Sequence, residues 1–238
     1  MYDAAIARFN SLDPLTEKNH SQSGFVYAAN NPFKYIDLLG LDTLLVDNKG
    51  RFAENPLPES DPEYENDVIV KVSKKERKDG KIDYKKDGSL RDRHATKKVA
   101  KNSVKIKSNR NKKGKIISTV ISTGDRETGL AVFTWLADNT EAEYAYFRLE
   151  SSSNVTITTN HRYNQETSGA SYAVYLAERG IRIIFIHNHP VDDGVEASDA
   201  DKKVFKQIGN KGVTLGIYSE GNYKGYDHLY KSKEKKKK

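Results

Sequence analysis

Apolar positions along this 238-residue chain follow two different spacings, and the change between them marks where order is expected. Short β-type runs come first: "TLLVD" at 43–47, "DVIVKV" at 67–72 and "KIISTVIS" at 115–122, separated by the turn signals "NKG", "KDG" and "KKG". Between them, Lys74 to Lys113 is almost wholly polar and reads as hairpins joined to a flexible basic connector. Beyond residue 129 the pattern tightens. "EYAYFRL" and "NVTITT" predict strands, and "TSGASYAVYLAERG" predicts a helix with Thr167 or Ser168 as its cap and Gly180 past its end. "IRIIFIH" is an unbroken apolar run, expected of a central strand covered on both faces. "SDADKKVFKQIGN" predicts a second helix, and "VTLGIY" and "YKGYDHLY" two more strands. The order β-β-α-β-α-β-β implies an α+β domain with a mixed sheet flanked by helices.

Composition narrows the chemistry. Cysteine is absent, which excludes disulfides, thiolate metal sites and cysteine nucleophiles, so any metal must be held by histidine and carboxylate. At 36% hydrophobic and 31% charged residues, one compact domain with polar appendages is expected. The net charge of +7 is concentrated: Lys71–Lys115 holds nineteen Lys/Arg against five acids, and the chain ends "KSKEKKKK". With few aromatics interleaved, the basic segment is expected to be a solvated linker, with nucleic-acid binding as the rival reading. No apolar run is long enough for a membrane span, and the start "MYDAAIARFN" lacks the apolar core of a signal peptide.

One stretch concentrates candidate ligands. His187 and His189 lie two apart at the end of the expected central strand, so both imidazoles face the same way. Pro190 ends the strand, and Ser198 and Asp201 fall at the start of the next helix. Two imidazoles and a carboxylate suit Zn²⁺ and leave a fourth position for water. Taken alone, Ser198-x-x-Asp201 is a helix-capping signature, and a His-x-His pair is common in loops. His161 is expected at the surface, with a place near the metal or substrate as the rival reading, and the role of His228 near the end of the last strands stays open.

The full spacing H-x-H-P-x(7)-S-x-x-D, met by His187, His189, Pro190, Ser198 and Asp201, resembles the JAB/JAMM metallopeptidase signature. The resemblance implies a JAB/JAMM (deaminase-like) α-β-α sandwich over residues 129–230, with His187, His189 and Asp201 as zinc ligands. It also implies Ser198 as a hydroxyl that helps hold the tetrahedral intermediate. A glutamate upstream is implied as proton acceptor. Glu141 and Glu143 are the candidates, and Glu143, directly before an apolar run, fits better. "LADNTEAEY" is similar to an element of JAB-like toxin domains attached to Rhs proteins.

Residues 1–42 resemble the end of an Rhs/YD-repeat core, through Tyr2-Asp3, Arg8-Phe9, Asp13-Pro14-Leu15, Tyr27, Asn30-Asn31-Pro32, Asp37 and Gly40. The junction Asp37-Leu38-Leu39-Gly40 departs from the Asp-Pro-x-Gly usual in that family. The chain then divides into an Rhs-core tail (1–42), a basic linker with hairpins (43–128), the metallopeptidase-like domain (129–230) and a Lys-rich tail (231–238). The two resemblances imply a toxin delivered as part of a larger Rhs protein, hydrolysing peptide or isopeptide bonds of a protein substrate in a target cell. They also imply a cognate immunity protein. The alternative is a nuclease or nucleic-acid-binding toxin that uses the basic segment, its metal site vestigial.

Overall fold

The computed structural model describes residues 2–3, 8–9, 43–53, 66–86, 89–163, 167–189, 194–208, 211 and 213–226. They belong to two compact units, one of Met1–Leu41 with Glu59–Tyr64, the other of Asp42–Pro58 with Glu65–Lys238. In the first unit β1 (Tyr2–Asp3) pairs antiparallel with β2 (Arg8–Phe9), bringing the Tyr-Asp and Arg-Phe pairs of the Rhs-like pattern side by side. The other Rhs-like positions, Pro190, His228 and the tail 231–238 lie outside the described residues.

The second unit holds two sheets. In the smaller, β3 (Thr43–Val46) runs parallel to β4 (Asn66–Lys71), and β5 (Thr96–Ala100) pairs antiparallel with β4. Between β4 and β5 lies α1 (Lys74–Asp79). The stretch expected to be a flexible connector therefore carries regular structure, and its polarity is what hid it. The Ser73 hydroxyl accepts from the Glu76 N–H while the Glu76 carboxylate accepts from the Ser73 N–H, a reciprocal cap on a very short helix. Gly80 closes the helix at φ 61°, a conformation only glycine adopts cheaply. What is buried here is charge rather than apolar surface: Arg77 Nε donates to Asp47 Oδ2 at 2.9 Å, with both side chains under 10% exposed.

Glu76 is the hub of this region. Its Oε1 also accepts from the Asp83 N–H and meets His94 Nε2, each at 2.8 Å. Burial alone would raise its pKa. The hydrogen bonds from Ser73 and Asp83 and the nearby His94 outweigh that and bring it down to about 2 from an ordinary 4.5. A carboxylate with a depressed folded-state pKa stabilises fully above its unfolded value and loses that contribution as pH falls through the folded value. Stability should therefore drop between about pH 4.5 and pH 2, with Glu76 contributing about 2–3 kcal/mol of the fall. Urea unfolding of Glu76→Gln across this range checks it: the variant starts less stable at pH 6, and its acid slope is shallower than that of the wild type.

The larger sheet is built from β6 (Val104–Arg110), β7 (Ile116–Thr123), β8 (Ala145–Leu149), β9 (Val155–Thr159), β10 (Ile183–Asn188), β11 (Val213–Ser219) and β12 (Asn222–Tyr226). Its order is β12-β11-β10-β8-β9-β7-β6, with β10 and β11 parallel and the other neighbours antiparallel. Three helices cover it: α2 (Arg126–Asn139), α3 (Thr167–Glu178) and α4 (Asp199–Ile208). From β8 onward the element order is the expected β-β-α-β-α-β-β. The sheet nevertheless begins well before residue 129, because β6 and β7 form its far edge.

Period-two alternation sorts the sheet's side chains between two cores. Phe147, Ile183, Phe185 and Leu215 pack with Ala173 and Leu176 of α3 and Ile208 of α4. Tyr146, Ile157, Ile186 and Tyr218 pack with Val132, Phe133 and Leu136 of α2. The result is three layers, helix on sheet on helices, and it explains why the β10 run is apolar throughout. The smaller sheet adds Val46, Ile69 and Val99 to the α2 side. Gly129 lets α2 come close: a Cβ there would sit 2.6 Å from Val155 Cβ.

Candidate metal centre

β10 continues the alternation past its apolar part. Ile183 and Phe185 face α3 and α4, so His187 and His189 follow on that side, at the end of the strand. There His187 Nε2 and His189 Nε2 are 3.1 Å apart. Asp201 arrives from α4, with Oδ1 3.1 Å from His187 Nε2 and Oδ2 3.2 Å from His189 Nε2. The three side chains are 4, 9 and 15% exposed in that order, so the cluster is nearly buried and opens toward the carboxylate.

Asp201 is the third residue of α4, and Ser198 caps the helix. The Ser198 N–H donates to Asp201 Oδ2 at 2.8 Å, and the Asp201 N–H donates to Ser198 Oγ at 3.2 Å. The Ser198 hydroxyl also donates to Asp201 Oδ2 at 2.6 Å. The capping signature and the ligand signature are thus one structure, in which the cap aims the carboxylate. Burial alone would raise the Asp201 pKa, but hydrogen bonds from His187, His189 and Ser198 and the charge of His187 hold it far below the ordinary carboxylate range.

The donor set fits a divalent ion. Four ligands arranged tetrahedrally at the usual zinc distances lie about 3.3 Å from one another. Here the two imidazole nitrogens are 3.1 Å apart, and each lies 3.1–3.2 Å from one of the two Asp201 oxygens. Two imidazole nitrogens at 3.1 Å, both turned to one carboxylate, cannot all be matched by protons on neutral rings: an Nε2–H that bonds the other ring leaves the acceptor's lone pair beside the carboxylate, and a cation between them removes that conflict. Among the described residues, these three form the group of His and carboxylate side chains close enough to share an ion. The Nδ1 atoms of both rings are buried without a partner.

Glu143 and Glu141 are placed differently. Glu141 is exposed, whereas Glu143 is buried one residue before the β8 core residues begin. Ala145 stands opposite His187 in the last pair of the antiparallel register, and Glu143 lies two residues before Ala145, just outside β8. The Glu143 N–H is bonded to the Arg162 carbonyl at 2.8 Å.

Two features have structural roles that the sequence does not reveal. The first is Asn188, the residue between the two histidines, whose side chain turns to the α2 face. Its Oδ1 accepts from the Tyr144 N–H at 2.6 Å, and its Nδ2 donates to the Ala142 carbonyl at 3.3 Å. It therefore grips the backbone on both sides of Glu143. Asn188→Ala leaves that buried amide without its acceptor and should cost about 1–3 kcal/mol in urea unfolding. An unchanged midpoint would show the grip to be dispensable.

The second is the Ala-Asp-Asn-Thr element at the end of α2. Asp138 accepts from the Tyr218 hydroxyl of β11 at 2.8–2.9 Å, and Thr140 Oγ1 meets the Tyr144 hydroxyl at 2.9 Å. This short stretch ties α2 to the strands on either side of β10. α2 itself is not among the elements predicted from the sequence; its buried Gly129, Val132, Phe133 and Leu136 mark one helical face.

His161 departs from the expectation of a surface residue. It is buried, at φ 60°, with Nε2 3.1 Å from Thr119 Oγ1 and Nδ1 3.0 Å from the Lys49 carbonyl. Burial depresses its pKa. It links the turn after β3 to β7 and is not part of the His187–His189–Asp201 cluster.

The domain is a three-layered α+β fold with two histidines and an aspartate gathered at the end of a central strand. Residues 121–211 match the family model described as JAB-like toxin 1, so this segment is similar to a JAB-like toxin domain. The match takes in β8, β10 and the start of α4, and with them every residue of the cluster. Neither the curated proteins nor the solved structures yield a match.

Proposed function

We propose that the domain is a zinc-dependent amide hydrolase acting as a delivered toxin, with His187, His189 and Asp201 holding the metal. The observation that supports this is the convergence of His187, His189 and Asp201, whose side-chain nitrogens and oxygens approach one another to 3.1–3.2 Å. When bound, zinc supplies a Lewis acid that polarises a carbonyl and brings the pKa of a water toward about 7.

The chain's own residues do the rest. Asp201 brings the negative charge, and its orientation is fixed by the cap from Ser198. Glu143 takes a proton from the attacking water and passes it to the leaving nitrogen as the C–N bond breaks, so that an amide and water become a carboxylate and an amine. Ser198 has one hydroxyl proton, given to Asp201 in this structure; turning it outward lets it donate to the developing oxyanion.

The substrate class is protein, cut at a peptide or isopeptide bond. The Rhs-like residues 1–42 and the toxin family support delivery to a target cell as part of a longer Rhs protein, with a neutralising immunity protein in the producer. Among the described residues, no helix is long and apolar enough to cross a membrane. The test is a survey of new protein termini and broken lysine isopeptide bonds in cells producing wild type or His187→Ala. Cleavages confined to wild type are expected, and identical patterns in the two would refute the reading.

A further inference from the structure

A second concave site lies across the larger sheet from the histidines. A cleft of about 660 Å³ opens between α1, the turn after β3 and the β6–β7 turn. Arg51, Lys74, Arg77, Lys78, Arg110 and Lys115 line it, against one acid, Asp79. Four strand steps separate β10 from β6, roughly 19 Å, so the cleft is not an extension of the metal centre.

Most of these cations are not neutralised from within. Arg77 is paired with Asp47, and the Arg110 guanidinium bonds the Gly114 carbonyl. Among the described residues, Arg51, Lys74, Lys78 and Lys115 have no carboxylate partner, and Arg51 Nε is buried with no hydrogen bond. Lys74 and Lys78 stand one turn apart on the same side of α1. Like charges gathered in a concavity focus the field and select an anion.

The lining also identifies the kind of anion. Among the described residues no aromatic ring contributes to the wall, so they offer neither the anchoring core of a protein interface nor a platform on which a base could stack. Donors without rings fit phosphates. We propose that this cleft binds the phosphodiester backbone of nucleic acid, without base preference. The proposal is independent of the peptidase reading, since it uses none of the residues of the metal centre.

The test is fluorescence anisotropy of the full chain with labelled single-stranded and duplex oligonucleotides over a range of salt. The variants are Lys74→Glu/Lys78→Glu, the milder Lys74→Gln/Lys78→Gln, and Lys105→Glu/Lys107→Glu as an equal charge change on exposed β6 positions outside the cleft. The Glu cleft pair should weaken binding by at least about tenfold and reduce the log–log salt slope by about 2, whereas the β6 pair should change little. The Gln pair should fall between, and oligo-dT and oligo-dA should bind alike.

The Lys-rich residues 231–238 are present in every variant, so unchanged affinity in the Glu cleft pair overturns the proposal. Equal losses in the cleft and β6 pairs overturn it as well, by reducing the effect to net charge. Competition by a poly-glutamate peptide as effective as unlabelled oligonucleotide, at equal charge concentration, overturns it in favour of an acidic protein partner.

Discussion

Asp201→Asn should lower zinc affinity by more than about 100-fold while leaving the fold in place. Outer-shell partners of metal ligands already cost 10- to 100-fold when lost, and a ligand's own charge counts for more. Asparagine has nearly the shape of aspartate and still accepts the Ser198 N–H, so the cap on α4 survives. What goes is the one anion facing two imidazoles. The measurement is competition for zinc against a coloured chelator, with thermal unfolding of the metal-free protein as the control. A metal-free variant melting within a few degrees of wild type but binding zinc far more weakly is the expected pair of results. Equal zinc affinity would place the metal elsewhere. Ser198→Ala should show the milder form of the same defect, because it frees Asp201 from one of its two tethers to the cap.

Glu143→Gln should abolish toxicity, with hydrolysis slowed by about 10²- to 10⁴-fold, while zinc content and stability stay near wild type. Glutamine fills the same buried volume and keeps the backbone bonds from Glu143 to Arg162 and from Asn188 to its neighbours. It cannot take a proton. Glu141→Gln, at an exposed position, should leave both toxicity and hydrolysis unchanged. The pair thus separates a chemical role from a structural one. If Glu143→Gln kills target cells as well as wild type does, the proton acceptor has been misassigned.

The two halves of the domain were not equally legible in the sequence. The strand–helix order from β8 to β12 and the convergence on β10 could be read because apolar periodicity and ligand spacing are local signals. Ile183 and Phe185 turn one way, Ile184 and Ile186 the other, and the histidines inherit the alternation. In the upstream part α1 was hidden because what holds it is charge, although the strands beside it bury an apolar core of their own. α1 is held by a cap and by the buried pair of Arg77 with Asp47, thirty positions apart, and nothing in a polar sequence foretells such a partner. Asn188 and His161 were missed for the same reason: each owes its role to backbone atoms of distant segments, the Ala142–Tyr144 turn and the Lys49 carbonyl. Burial of His161 in place of exposure follows from that long-range contact. α2 was missed altogether, because its buried Val132, Phe133 and Leu136 sit on one face among polar and small residues.

The most direct measurement is the zinc content of the purified chain, by elemental analysis after dialysis against metal-free buffer containing trace zinc. One ion per wild-type chain and none retained by His187→Ala/His189→Ala is the predicted result. No stoichiometric metal in the wild type, or the same amount in the double variant, would contradict the account.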